Sequence, residues 1–157
     1  MIKSCCFTGH RKIGIDKYLY IKDFLRENLE ALIQQGCHTF FAGGAIGFDT
    51  MAALMVLSLR DDNYPEIKLN LILPCKEQEK RWSIKDKNIY FDIINRADSV
   101  NYVSDIYTSA CMYQRNRELV NNSELCIAYL TEDRGGTFYT VNYAEKNGVS
   151  VINLAEG

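Results

Sequence analysis

The stretch Phe40-Phe41-Ala42-Gly43-Gly44-Ala45-Ile46-Gly47-Phe48-Asp49-Thr50-Met51-Ala52-Ala53 decides how the rest of the chain is read. It opens as the apolar end of a strand, bends through Gly43, Gly44 and Gly47, and enters a segment rich in alanine, leucine and methionine. The glycines leave a bare backbone where the strand gives way to a helix. Such a backbone takes positive φ at little steric cost, admits close approach of a ligand, and leaves the first helical amides pointing outward. Two readings fit the loop: a tight turn joining packed elements, or a seat for a nucleotide phosphate. Its spacing is neither G-x-G-x-x-G nor a P-loop, because it lacks the first spacing of the former and the Gly-Lys-Ser/Thr of the latter. A carboxylate at the helix start suits a cap but repels a phosphate on the same amides. Asp49 is therefore expected to meet ribose hydroxyls or to brace the glycine loop, with phosphate left to another loop.

Outward from this bend, strand-like and helix-like segments alternate to both ends of the chain, which is the pattern of a parallel sheet covered on both faces. Expected strands are 4–8, 37–42, 67–73, 99–103, 125–130 and 149–154. Leu19, Phe24, Leu25, Leu29, Leu32 and Ile33 predict a helix over 18–35 that stops at Gly36. Further helices are predicted over 49–59 and over 78–95, the latter with imperfect periodicity and a break near Ser83. Pro74 is expected to close the third strand. Thr108 or Ser109 is expected to cap a helix to about residue 121, and Arg134-Gly135-Gly136-Thr137 opens the last helix, which Gly148 ends. No linker, repeat or low-complexity segment interrupts the 157 residues. The expected architecture is a single Rossmann-like α/β domain, a mostly parallel sheet of about six strands with helices on both faces.

Composition narrows the functional classes. A length of 157 residues with 47% apolar content supports a proper core. The formal charge of −2 and the absence of a basic field argue against nucleic acid as the main partner. The start is too short in apolar residues for a signal peptide, and no apolar run is long enough to span a bilayer, so no membrane association and a cytoplasmic location are expected. Cys5, Cys6, Cys37, Cys75, Cys111 and Cys126 form no C-x-x-C pair and read as buried free thiols. Neighbouring cysteines on a strand point to opposite faces, so Cys5, Cys6 and His10 do not readily share a metal, and no metal site is expected. The apolar helices at 49–59 and 108–121 leave room for a homodimer.

Ligands of such sheets bind beyond the carboxyl ends of the strands, near the point where strand order reverses. Four segments at those ends are chemically unusual. In Thr8-Gly9-His10-Arg11, Arg11 is a fork suited to phosphate oxygens, with Thr8 or the Gly9 amide adding a hydrogen bond; a solvated arginine beside a surface histidine is the alternative. The glycine loop with Asp49 is the second. In Pro74 to Trp82, Gln78, Arg81 and Trp82 share an edge if helical, so Trp82 serves either as a base platform with Gln78 on a polar edge, or as core. Gly135-Gly136-Thr137 offers bare amides, a hydroxyl and the positive end of a helix, and is the leading phosphate site. Of Arg115 and Asn116, inside the preceding helix, one can reach a ligand edge while the other braces a loop; simple exposure is the alternative for both.

Taken together and in this order, these motifs resemble the SLOG superfamily, and within it the YpsA-like branch found in bacteria and phages. The resemblance also takes in Thr140, Tyr143 and Ala144 and covers nearly the whole chain. It implies a Rossmann-like fold that binds nucleotides or nucleotide-derived ligands, with LOG-type phosphoribohydrolases and DprA-like DNA-processing proteins as relatives. The enzymatic relatives carry a pattern similar to Pro-Gly-Gly-x-Gly-Thr-x-x-Glu, whose glutamate assists cleavage of the base-ribose bond. Thr140 stands at the position of that acid in this chain, and threonine neither holds a stabilising negative charge nor acts as a carboxylate base. Binding or sensing of an ADP-ribose-like, NAD-like or nucleoside phosphate ligand is the first expectation, with no cofactor required. The alternative is N-glycosidic hydrolysis of a nucleoside monophosphate with Asp49 as the working acid, and a DprA-like DNA-handling role is the third.

Overall fold

The computed structural model describes residues 1–156. Strands and helices alternate without exception: β1 (Ser4–Gly9), α1 (Ile15–Gln34), β2 (Thr39–Ala42), α2 (Phe48–Asp62), β3 (Lys68–Cys75), α3 (Ile84–Arg96), β4 (Ser99–Ser104), α4 (Cys111–Asn121), β5 (Leu125–Tyr129), α5 (Gly136–Lys146) and β6 (Ser150–Asn153). A short 3-10 turn, Leu154–Glu156, follows. All neighbouring strands run parallel, in the order β4-β3-β2-β1-β5-β6. This is the expected Rossmann-like α/β sheet. The chain first builds outward from β1 to β4, then crosses back to lay β5 on the other side of β1. The reversal opens a crevice at the carboxyl ends of β1 and β5.

Helices α1, α2 and α3 pack on one face and α4 and α5 on the other. Alternation along β1 feeds both layers: Cys5 and Phe7 enter the core under α1 and α2, while Cys6 joins Leu119, Val120, Cys126 and Ala144 beneath α4 and α5. The apolar stripe Ile21, Leu25, Leu29 and Ile33 fixes α1 to the sheet. Nine buried positions on α2 leave it almost wholly enclosed, as its composition suggests. All six cysteines are buried free thiols, and burial pushes that of Cys37 up to about 11. No helix is long and apolar enough to cross a membrane.

The structure departs from the sequence reading between 74 and 84. Pro74 does not close β3 but lies within it, one residue before its end. The proline is tolerated because β2 stops at Ala42, paired with Leu71, so that the missing amide falls beyond the reach of the central ladder. The helix expected from Gln78 starts only at Ile84; residues 76–82 form successive turns. Ser83 is the true N-cap, its hydroxyl accepting the Asp86 amide at 3.1 Å. Helix α4 likewise starts later than expected, after Ala110, and neither Thr108 nor Ser109 supplies a side-chain cap.

Replacing Ser83 with alanine leaves the Asp86 amide without its partner. Urea denaturation of Ser83→Ala is expected to show a loss of about 1 kcal/mol, and a variant as stable as the parent contradicts this cap.

Candidate functional site

A cleft of about 420 Å³ lies over the carboxyl ends of β1 and β5. Its volume is within the range of small-molecule sites. Thr8 and Gly9 end β1 and His10 and Arg11 follow it into the cleft, Asp49 enters from the start of α2, Arg115 and Asn116 from α4, and Gly135, Gly136 and Thr137 from the start of α5. Four segments widely separated in sequence thus meet where the strand order reverses. Pro74, Gln78 and Trp82 are not among its lining residues. Gln78 instead donates to the Tyr90 hydroxyl at 3.0 Å, and the Trp82 ring packs edge-on against Tyr90 with centroids 5.1 Å apart. Because residues 76–82 are turns, Gln78 and Trp82 do not share a helical edge, and the core reading of Trp82 is the one the structure shows.

The two glycine loops look alike in sequence but differ physically. Each ends in a glycine at positive φ that serves as the N-cap without a side-chain cap, Gly47 before α2 and Gly135 before α5. The first loop is tightly packed, and two of its amides are engaged by the protein's own groups. The Asp49 carboxylate accepts the Ala45 amide at 3.2 Å, and the His10 carbonyl accepts the Phe48 amide at 3.1 Å. Its glycines are packing requirements: a Cβ on Gly44 would lie 2.5 Å from Leu73 Cδ2, one on Gly43 would lie 2.7 Å from the Arg115 guanidinium, and one on Gly47 would collide with the Arg11 backbone. Asp49 therefore braces the loop, one of the two roles expected of it.

The second loop is open. A Cβ on Gly135 would meet nothing within 4 Å, and one on Gly136 would find only Asn116 Nδ2 at 3.7 Å. Among the described residues no hydrogen-bond acceptor faces the amides of Gly136, Thr137 or Phe138, which are the donors that the first turn of a helix always leaves over. Thr140, fully buried, donates its hydroxyl to the Gly136 carbonyl at 2.8 Å. That side chain is thus committed to the helix itself.

Arg115 is the central charge. The side chain is buried, with Nη1 donating to the Gly43 carbonyl, Nε to Asn116 Oδ1 at 2.7 Å, and Nη2 contacting the Met112 sulfur at 3.7 Å. Burial pulls its pKa down, while the Asp49 charge supports the cation. Burial in turn pushes Asp49 up to about 6, against the opposing pull of Arg115, of the Ala45 amide and of Arg11. The sequence left Arg115 and Asn116 open between exposure and a pairing of ligand contact with loop bracing; both are buried and line the cleft, and Arg115 braces the Gly43 loop. His10 has a bridging role: its Nε2 accepts the Thr131 amide at 2.9 Å, tying the loop after β1 to the loop after β5. That contact places the imidazole proton on Nδ1 in the neutral ring.

Sequence reasoning did not single out Tyr107, Met112, Tyr113 and Arg134, which also line the cleft. The spacing of Tyr113, Met112 and Asn116 on one helix was the available signal, since positions three and four apart share a face.

A family model described as the YspA SLOG family, short name YpsA, matches residues 5–151. The chain belongs to that family. A UPF0398 protein of Bacillus licheniformis is 30% identical over 155 residues, covering 92% of this chain and 84% of its own. The SPbeta prophage-derived protein YoqJ of Bacillus subtilis is 32% identical over 141 residues, with 82% of each chain covered. Among solved structures, DNA processing protein A of Helicobacter pylori superposes with a TM-score of 0.69 at 16% identity, over 95% of this chain and 63% of that one. TM1055 superposes with a TM-score of 0.60 at 17% identity, over 95% and 72% respectively. This YpsA-family chain therefore shares the fold of both and spans less than two thirds of the Helicobacter protein. The Helicobacter protein has a single-stranded DNA binding mode.

The contrast between the loops gives a direct expectation. Gly44→Ala, at φ +75° and pressed on Leu73, is expected to lower the thermal midpoint by several degrees, whereas Gly136→Ala leaves it within about a degree of the parent. Equal midpoints for the two variants contradict the packing described.

Asp49 makes stability depend on pH. Its folded-state value of about 6 lies above the unfolded value of 3.8, so the native state holds the proton more tightly. The resulting stabilisation is complete below pH 4 and lost as the pH rises through 6, a change of about 3 kcal/mol at most. Asp49→Asn keeps an acceptor for the Ala45 amide and abolishes the titration. Urea denaturation at pH 4 and pH 7.5 is expected to show this pH-dependent difference between parent and variant, and parallel pH profiles contradict it.

Proposed function

We propose that the cleft binds a small phosphorylated, nucleotide-derived ligand, with its phosphate on the amides at the start of α5. The observation that carries this reading is the trio of unpartnered amides on Gly136, Thr137 and Phe138, next to a cleft floored by the buried Arg115-Asn116 pair. The positive end of α5 and the bare Gly135-Gly136 backbone favour an oxyanion there. Arg11, exposed and lining the cleft, adds a further cation. Asp49, among the described residues the one buried carboxylate that lines the cleft, is the acceptor assigned to ribose hydroxyls in this reading.

Hydrolysis of a nucleoside monophosphate is the second reading, and the raised pKa of Asp49 favours it, since a carboxyl near 6 is poised to exchange protons at neutral pH. Against it stands Thr140, which replaces the acid of the enzymatic relatives and is buried in a bond to Gly136. Binding without turnover is the reading the site supports better.

A thermal-shift panel of nucleoside monophosphates, ADP-ribose, NAD and a short oligothymidylate tests this directly, with released base measured in the same samples. At a hundredfold excess over Kd a true ligand stabilises by about 2.7 kcal/mol, a rise of roughly 5–10 °C. The rise is expected for a mononucleotide or ADP-ribose in the parent and lost in Gly136→Val, with no base released. Base release abolished by Asp49→Asn replaces binding with catalysis, and a response to the oligonucleotide alone moves the function to nucleic acid. A flat panel overturns the proposal.

A further inference from the structure

Two tyrosines at the mouth of the cleft are left without a role by the phosphate site. Tyr107 is 67% exposed and Tyr113 is 44% exposed, and both line the cleft. Large aromatic rings left this open forgo the apolar burial that usually keeps them inside. Tyr113 is nonetheless held in place. Its ring meets Tyr139 in a T-shaped contact, with centroids 4.7 Å apart and planes at 76°. Arg117 donates to the Tyr139 hydroxyl at 3.0 Å, and Tyr139 stacks on Tyr143, whose own hydroxyl donates to Asn121 at 2.8 Å. Helices α4 and α5 thereby brace a surface ring from behind, and a T-shaped contact covers at most one of its two faces. A ring ordered in advance loses little entropy when something stacks on it.

Position along α4 adds the second element. Tyr113 precedes Asn116 by three residues, so the two side chains lie on one face of the helix about 5 Å apart along its axis. Asn116 in turn is the nearest side chain to Gly136, where the unpartnered amides begin. An anion on those amides and a planar ring over Tyr113 are separated by roughly one helical turn, the span a single ribose bridges between a 5′-phosphate and its base. Tyr107 makes no ring contact with Tyr113 and stands on the same cleft, a second wall for a flat group.

We propose that Tyr113 is the stacking platform for the base of the ligand, so that the cleft selects base-bearing nucleotides over sugar phosphates. This inference rests on the phosphate reading given above and names the ligand class within it. Stacking on an aromatic side chain is sequence-tolerant because every base has a π face. A modest preference among bases and a strong preference for having one follow from this geometry.

Titration calorimetry of the full chain with AMP, GMP, CMP, UMP, ADP-ribose and ribose 5-phosphate separates this inference from the reading beneath it. The parent is expected to bind at least one base-bearing compound ten times more tightly than ribose 5-phosphate. Tyr113→Ala is expected to erase that preference while leaving ribose 5-phosphate affinity within twofold, and Tyr113→Phe to retain it. A hypochromic change in base absorbance on binding, seen with the parent and Tyr113→Phe but not with Tyr113→Ala, reports stacking rather than general damage. Preference surviving in Tyr113→Ala, or equal weakening of every ligand, overturns the platform while phosphate binding stands. Absence of binding by every compound overturns both.

Discussion

A single buried guanidinium ties the functional end of this molecule together. Arg115 is carried on one face of the sheet and reaches over its carboxyl edge to the carbonyl of Gly43, in a loop that feeds a helix on the other face. A charge taken out of water is costly unless it is hydrogen-bonded and electrostatically supported. Gly43, Asn116 and the Asp49 charge meet that requirement, and each comes with a constraint on its own backbone. The lack of a side chain at Gly43 follows directly, since a Cβ would occupy the space the guanidinium needs.

The same interaction explains why two similar glycine loops have separate tasks. The loop before α2 is consumed in holding Arg115, Asp49 and the Arg11 backbone at close quarters. Its Ala45 and Phe48 amides are already engaged by Asp49 and the His10 carbonyl. The loop before α5 carries no such load: its glycines touch almost nothing, and its amides are unspent. The two loops thus differ in packing: one is wedged among Leu73, Arg115 and the Arg11 backbone, the other stands free.

Membership of the YpsA family and the likeness to DNA processing protein A and TM1055 settle the sheet, not the chemistry. Folds of this type host many activities, and function has to be argued from the site. Here the cleft brings together a buried carboxyl, a buried guanidinium and a row of open amides, and the Thr140 hydroxyl is turned into its own helix.

Much of this was written in the linear sequence. The alternation of segments gave the parallel sheet, and apolar runs ending in glycine gave the positions of the loops, because strand and helix periodicities are local properties of a chain. The ordered motifs carried the resemblance to the YpsA-like branch, and bracing of the glycine loop was one of the two roles expected of Asp49. Whether a glycine is needed for conformation, for packing or for a ligand is not local. Gly44 and Gly136 read alike until Leu73 is found against one and empty space against the other. Gln78 and Trp82 were assigned to a helix edge although a break near Ser83 was expected, because the contacts by which Tyr90 claims both are not local. Arg115 could be recognised as the centre of the site only once the fold carried it 72 residues back along the chain to Gly43. The sequence determined which elements form and where they turn; long-range packing alone decided which polar groups are spent on the protein and which are left for a ligand.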